Sequence, residues 1–395
     1  MRKFIFYLCK LIIPIILIAG CTLNIGGPSD LPDAPAPTAL PLTQDADPLV
    51  EVTGKSIGLP PGFAISVFAE GLEGPRMMAL GPDGQVYVAE RGAGGIIRLP
   101  DADQDGKADR VEVLADGLEA PSSLAFFKDG SLYVGETRRV LRFPALDGQE
   151  KFGESQVVID DLPEGGHNTR TVLFSPDFSD LFVSVGSSCN VCEENDPRRA
   201  TIMRYNPDGS EGQVYADGLR NAVGITIRPG TDQLWSTNNG RDFLGDDLPP
   251  ETVYLVEEGK HYGWPYCHSG RIIDPQFGTP GSCQDVEAPK VEMQAHSAPL
   301  GLEFYSGESF PIKYQGDLFV AFHGSWNRSQ PVGYKLVRIP IDGDEVGAVE
   351  DFAVGWLENG NSWGRPVDVL TAPDGSLLIS DDAGGRIFRI YYAGN

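Results

Sequence analysis

One pattern recurs along this chain and limits what it can fold into. A β-branched or apolar run, a turn built on aspartate and glycine, a second run, a loop and a third run follow one another. "GPRMMALGPDGQVYVAERGAGGIIRLP" returns as "APSSLAFFKDGSLYVGETRRVLRFP", and then as "HNTRTVLFSPDFSDLFVSVGSS" leading to "TIMRYNPDG". More distant copies are "RNAVGITIRPGTDQLWSTNNG", "APLGLEFYSGESFPIKYQGDLFVAFHGS" and "GRPVDVLTAPDGSLLISDDAGGRIFRI". The turn aspartates Asp83, Asp129 and Asp177 stand 46 and 48 residues apart, and insertions stretch the later copies. Helical periodicity is nearly absent after residue 50. A short sheet repeated at this period cannot bury its faces alone and must stack on its neighbours. Six copies predict an all-β, six-bladed β-propeller.

That architecture assigns loops to faces. Strands run up and down around a central channel, so the start of each first strand and the end of each second strand share one mouth. Aligning the copies on their turns puts Arg76, Ser122, His167 with Arg170, Arg220 with Asn221, Pro299 and Arg365 at first-strand starts. Second strands end at Glu90, Glu136, Ser187, Asn239 with Gly240, His323, and Asp381 with Asp382. The chain carries 31 basic against 56 acidic residues, a net charge of −25. Arginine at four of six starts in so acidic a chain is more than a merely solvated rim predicts. The same charge argues against nucleic acid, whose affinity is dominated by phosphate neutralisation.

Residues 1–20 read as a secretory signal with basic Arg2 and Lys3 before an apolar stretch. Ile18-Ala19-Gly20-Cys21 resembles a bacterial lipobox, with Cys21 acylated; a transmembrane anchor is the alternative. Residues 21–55, rich in Pro, Ala and Asp, read as a tether, and 56–395 as the propeller. The expected location is therefore outside the cytoplasm, with the membrane touched only through lipid. Four cysteines remain in the exported chain. Disulfides Cys189–Cys192 and Cys267–Cys283 are the simplest pairing, with a four-cysteine zinc site as the rival.

"DADQDGKADRVE", residues 101–112, has the spacing of a calcium loop. Asp101, Asp103 and Asp105 offer carboxylates, Lys107 a backbone carbonyl, Asp109 a direct or water-mediated contact and Glu112 a bidentate carboxylate. Its flanks read as strands, so it should be structural and lie on the face opposite the mouth.

"LPPGFAISVFAEGL", "GGHNTR", "DGLRNAVGI", "EEGKHYGWP" and "GRPVDV" together resemble the soluble glucose/sorbosone dehydrogenases that use pyrroloquinoline quinone (PQQ). The resemblance covers roughly residues 57–392. It implies PQQ over the channel with Ca²⁺ at the quinone, and a sugar substrate oxidised by hydride transfer to the quinone. It implies His167 as the base, and Arg220, Asn221 and Arg365 as cofactor contacts. The backbone carbonyls of Gly240 and Arg241 would be ligands of the cofactor calcium. Arg170 joins the cationic set by position. An external electron acceptor would reoxidise the cofactor.

The chain departs from the family at three places. Val367 stands where a second cation is expected, and the lysine of the glucose enzymes is missing, with His323 or Arg328 as substitutes. Ser122 and Ser123 stand where a glutamine is expected. Two other functions suit the fold: a non-catalytic surface-anchored binding propeller, and a lactonase-like hydrolase with a metal held by side chains such as Glu90, Asn239 and Asp381.

Overall fold

The computed structural model describes residues 49–145 and 152–394. They form the expected six blades, each an antiparallel sheet of at least four strands. Blade 1 contains Pro75–Leu80, Val86–Glu90, Gly95–Leu99 and Glu112–Ala115, in spatial order. Blades 2 and 3 open with Ser123–Phe126 and Val172–Phe174, and blades 4, 5 and 6 with Ile225–Ile227, Pro299–Phe304 and Pro366–Thr371. The recurring aspartate has a local cause. Its carboxylate accepts the N–H two residues on: Asp83 from Gln85 at 3.1 Å, Asp129 from Ser131 at 2.9 Å, Asp177 from Ser179 at 3.0 Å. That bond closes the turn between the first two strands of a blade and sets their register.

The ring closes by mixing the chain's two ends. Phe63–Glu70 is the outer strand of blade 6, paired with Arg386–Tyr392 near the C-terminus. Phe63 fastens it, meeting Phe310, Tyr314, Phe352 and Tyr392 edge-on at 4.7–5.2 Å. One boundary differs from the sequence reading. Leu49–Val52 and Lys55–Gly58 form a hairpin that extends blade 5, so the end of the expected tether already belongs to the sheet. Val52 and Ile57, buried against this core, are the reason. The signal, Cys21 and the rest of the tether lie outside the described residues.

First strands line a channel cavity of about 400 Å³. Its mouth end is stoppered by Met77, Val223, Leu300 and Val367, all under a tenth exposed. Deeper in the cavity, burial pushes the carboxyls of Asp368 and Glu303 up to about 7. A raised folded pKa means the native state keeps protons that the unfolded chain releases. Their contribution is full below the ordinary carboxyl range and is lost as pH rises through 7. Asp368→Asn is expected to flatten the fall in unfolding free energy between pH 5 and pH 8 by about 1–3 kcal/mol. Denaturant melts at each pH check this, and parallel curves for parent and variant would refute it.

Candidate active site

The mouth is assembled by side chains that stitch one blade to the next. Ser122 and Ser123 hydroxyls donate to the Arg170 carbonyl at 2.9 and 2.8 Å, joining blades 2 and 3. Thr171 reaches the Val223 carbonyl at 2.5 Å, and Thr237 the Leu300 carbonyl at 2.8 Å. Asn239 Nδ2 donates to Pro299 at 2.6 Å, and Ser380 Oγ to Arg76 at 2.8 Å across the closure. Each hydroxyl gives a carbonyl beside the channel a donor from the neighbouring blade. Ser122 and Ser123 are therefore stitches, not ligand contacts, which explains why small residues stand there.

His167 sits at the start of blade 3 with its tautomer set by geometry. Its Nδ1 lies 3.1 Å from the Ser187 carbonyl and 2.9 Å from the Ser187 hydroxyl. That hydroxyl donates its proton to the Cys189 carbonyl at 2.6 Å, so toward His167 it can only accept. Nδ1 therefore carries the hydrogen and Nε2 keeps a lone pair. Burial, then the Arg220 charge, lower its pKa to about 4. The imidazole is thus neutral across the physiological range. Gly186 makes this packing possible. A Cβ there would come within 2.5 Å of His167 Cβ and 2.7 Å of Asn221 Oδ1.

Next to His167, Arg220 is 4 % exposed and fully engaged. It pairs with Asp242 at 2.9 Å and donates to Asn190 through Nε at 2.9 Å and Nη2 at 3.0 Å. Asn190 Oδ1 also accepts Asp242 N–H at 2.7 Å, and its Nδ2 donates to the Asp242 carbonyl at 3.1 Å. Asn190 lies inside the Cys189–Cys192 disulfide ring. One small ring thus holds both the base, through Ser187, and the segment 240–242. Sequence reasoning missed Asn190; its place inside the C-x-x-C was the available signal. Among the described residues neither the Gly240 nor the Arg241 carbonyl accepts a hydrogen bond. Gly240 is held from behind by Glu251, which accepts its N–H at 2.6 Å. Arg241 is ion-paired to Asp274, which His268 also contacts at 2.8 Å, tying in the insertion closed by Cys267–Cys283.

On the far side, His323 Nε2 and Arg76 meet the two oxygens of Asp382 at 2.9 and 2.8 Å. Burial opposes this charge, yet the two partners hold Asp382 down to about 2. Arg365 donates to the carbonyls of His323 and Gly324, both at 3.1 Å, and has no carboxylate partner among the described residues. Arg91, also missed from the sequence, behaves alike, bonding the Ala120 carbonyl at 3.0 Å and Asn168 at 3.1 Å. Two guanidinium groups at the mouth, above the apolar stopper, thus form no ion pair among the described residues.

A family model described as TrAA12-like matches residues 57–393. The chain belongs to that family. A solved PQQ domain of a pyranose dehydrogenase from Coprinopsis cinerea superposes on this TrAA12-like propeller with a TM-score of 0.75. It is 22 % identical, over 87 % of this chain and 99 % of that one. A Coprinopsis cinerea protein named as a PQQ-dependent pyranose dehydrogenase is 28 % identical over 294 residues, 57 % of this chain and 39 % of its own length. An uncharacterized protein of Borreliella burgdorferi is 37 % identical over 231 residues, 57 % of this chain and 61 % of that protein. The chain thus spans under two thirds of the length of these two full-length relatives.

Several expected residues of the TrAA12-like chain lie elsewhere than the sequence suggested. Arg170 is buried, and its guanidinium donates to the carbonyls of Pro163, His167 and Thr169. It clamps the loop of His167 rather than facing a ligand. Arg328 turns to Asp246 and Asp247 on the neighbouring loop. Val367 belongs to the stopper, where a cation would be desolvated without a partner. Glu90 and Asp381 accept backbone N–H groups from Glu73 and Arg365, while Asn239 stitches blades, so the lactonase-like metal set is not assembled. The cysteines form two separate disulfides instead of a zinc cluster.

The 101–112 loop joins the third and fourth strands of blade 1, away from the mouth as expected. Carboxylates of Asp101, Asp103 and Asp105 come within 4.8 Å of one another. Asp101 already accepts the N–H groups of Asp105 and Gly106 at 3.1 and 3.0 Å. Lys107 donates its N–H to Asp105, and Asp109 accepts that of Ala102. Glu112 does not join them, because Arg98 and Arg110 take its carboxylate.

Proposed function

We propose that this protein is a PQQ-dependent dehydrogenase that oxidises a hydroxyl-bearing carbon of a sugar. The observation that carries this reading is His167: neutral, with Nδ1 committed to Ser187 and Nε2 free at the mouth of the channel. The residues around it fit a flat, tricarboxylated quinone. The Met77, Val223, Leu300 and Val367 stopper offers an apolar floor to a planar ring, and Arg91 and Arg365 offer cations that form no ion pair among the described residues. The uncommitted carbonyls of Gly240 and Arg241 suit a hard Ca²⁺ ion. Bound there, the quinone supplies the hydride acceptor. His167 Nε2 takes the hydroxyl proton as the C–H bond breaks, and burial, helped by Arg220, keeps the imidazole from holding a proton beforehand. Asn190 and Ser187 hold these two groups in place. The named relative acts on pyranoses, which supports a sugar substrate. Purified protein supplied with PQQ and Ca²⁺ should bleach the oxidised quinone absorbance when aldoses are added. Absence of quinone binding at micromolar concentration would leave a non-catalytic binding propeller instead.

The disulfides and the apparent signal support export, with Cys21 as a lipid anchor. The 101–112 loop is proposed to bind a structural Ca²⁺ through Asp101, Asp103 and Asp105. A ligand bound only by the folded state stabilises by RT ln(1 + [L]/Kd), roughly 2.7 kcal/mol at a hundredfold excess over Kd. Chelation should therefore lower the melting temperature of the parent further than that of Asp105→Ala, which keeps only the calcium site at the mouth. Equal responses in both would make the loop an acidic turn.

A further inference from the structure

Phe243 and Trp326 are the only aromatic side chains exposed among the described residues, at 68 % and 69 %. They pack edge to face at 5.6 Å and 87°, although they come from different blades. Phe243 follows Asp242, the partner of Arg220, and Trp326 lies three residues after His323. Both therefore stand on loops that border the mouth. We infer that this pair is a carbohydrate platform, taking the apolar face of a sugar unit linked to the one being oxidised. The inference rests on the dehydrogenase reading for what is oxidised, but not for whether carbohydrate binds.

Three observations favour a built surface over two stray apolar residues. The loops are clamped together: Arg328 pairs with Asp247 at 2.9 Å, and Ser329 N–H meets Asp246 at 3.0 Å. From the other side, Asn190 grips Asp242. Phe243 also holds a φ of 70°, a conformation bulky side chains rarely adopt. That strain is of order 1–3 kcal/mol, and a ring left mostly in water recovers little from burial on folding. Such a cost is retained where an occupant repays it.

Size and charge choose the occupant. A stable protein interface needs roughly 800 Å² per partner, far more than two rings offer, whereas one pyranose face matches them. A chain of net charge −25 does not attract anions to an apolar rim, and a neutral sugar carries no such penalty. Because the rings are perpendicular, ring C–H groups would lie on the face of one ring and against the edge of the other, leaving hydroxyls to water and to the loop carboxylates. The pair stands outside the His167–Arg220 centre, so it should act on disaccharides and not on monosaccharides.

Acrylamide quenching of tryptophan fluorescence tests this without any cofactor. Trp235, Trp264 and Trp356 are buried and Trp363 is half-buried, so a neutral quencher reports mainly on Trp326. Cellobiose or maltose should reduce quenching in the parent and leave Trp326→Ala unaffected. In protein loaded with PQQ and Ca²⁺, Trp326→Ala and Phe243→Ala should raise KM for those disaccharides about tenfold, with kcat and the KM for glucose unchanged. Protection without turnover leaves the platform standing and removes the dehydrogenase reading; turnover without protection does the opposite. An equal rise in KM for glucose overturns the platform, as does a dimer that Trp326→Ala dissolves in light scattering.

Discussion

His167→Ala is expected to bind PQQ nearly as well as the parent and to turn over ~10²–10⁴-fold more slowly, the usual share of general-base catalysis. Among the described residues the imidazole is bonded to Ser187 alone, and the groups suited to the cofactor are elsewhere, so its loss removes the proton acceptor and little else. Quinone titration followed by single-turnover bleaching separates the two effects. The pH profile is a second readout. With its pKa lowered to about 4, the base stays neutral well below the ordinary histidine value. The acid limb of kcat/KM should accordingly lie below 6.5, and the Arg220 charge is the second cause after burial. A limb at an unshifted histidine value, or retention of full activity in His167→Ala, would assign the proton transfer to another group.

Arg220→Ala should damage both folding and the cofactor site. Removing it leaves Asp242 charged and 15 % exposed with no cation, and empties two acceptors on Asn190. Breaking a buried pair from one side costs about 3–5 kcal/mol. The same loss frees the 240–242 segment, whose carbonyls are the candidate calcium ligands, so PQQ affinity should fall by more than tenfold. Arg220→Ala with Asp242→Asn should recover part of the stability, because no charge is then stranded, while quinone binding stays weak. Melting curves and quinone titrations of the single and double variants check this. Full recovery of quinone binding in the double variant would show that Arg220 matters only through Asp242. In any Arg220 variant that still turns over, the acid limb should move upward, since a cation that disfavoured the imidazolium has gone.

Much of this was legible beforehand because it is local or periodic. Strand alternation and the turn aspartates are short-range, so six repeats led to six blades and to the shared mouth of His167, Arg220, His323 and Arg365. The two disulfides followed from cysteine count and nearness in sequence. Asn190, Gly186 and Arg91 escaped because each acts on residues that only blade stacking brings close. Asn190 reaches Asp242, 52 residues on, and Arg91 reaches Asn168, 77 residues on.

The direction of each charged side chain was likewise decided in three dimensions. Arg170, Arg328 and Arg365 look alike as cations near strand ends. Their fates differ because Arg170 is enclosed by the carbonyls of its own loop, Arg328 meets acids on a neighbouring loop, and Arg365 finds the carbonyls of His323 and Gly324 and the Tyr334 ring, with no carboxylate partner among the described residues. Val367 shows the same division. Its sequence position matched an expected cation, yet the channel places it against Met77, Val223 and Leu300, where only an apolar side chain avoids desolvation. The sequence by itself determined the repeating sheet and the pool of residues at one mouth, since these follow from periodicity and turn chemistry. Only the tertiary structure decided which of those residues remain available to a ligand, because availability depends on what the neighbouring blades have already paired.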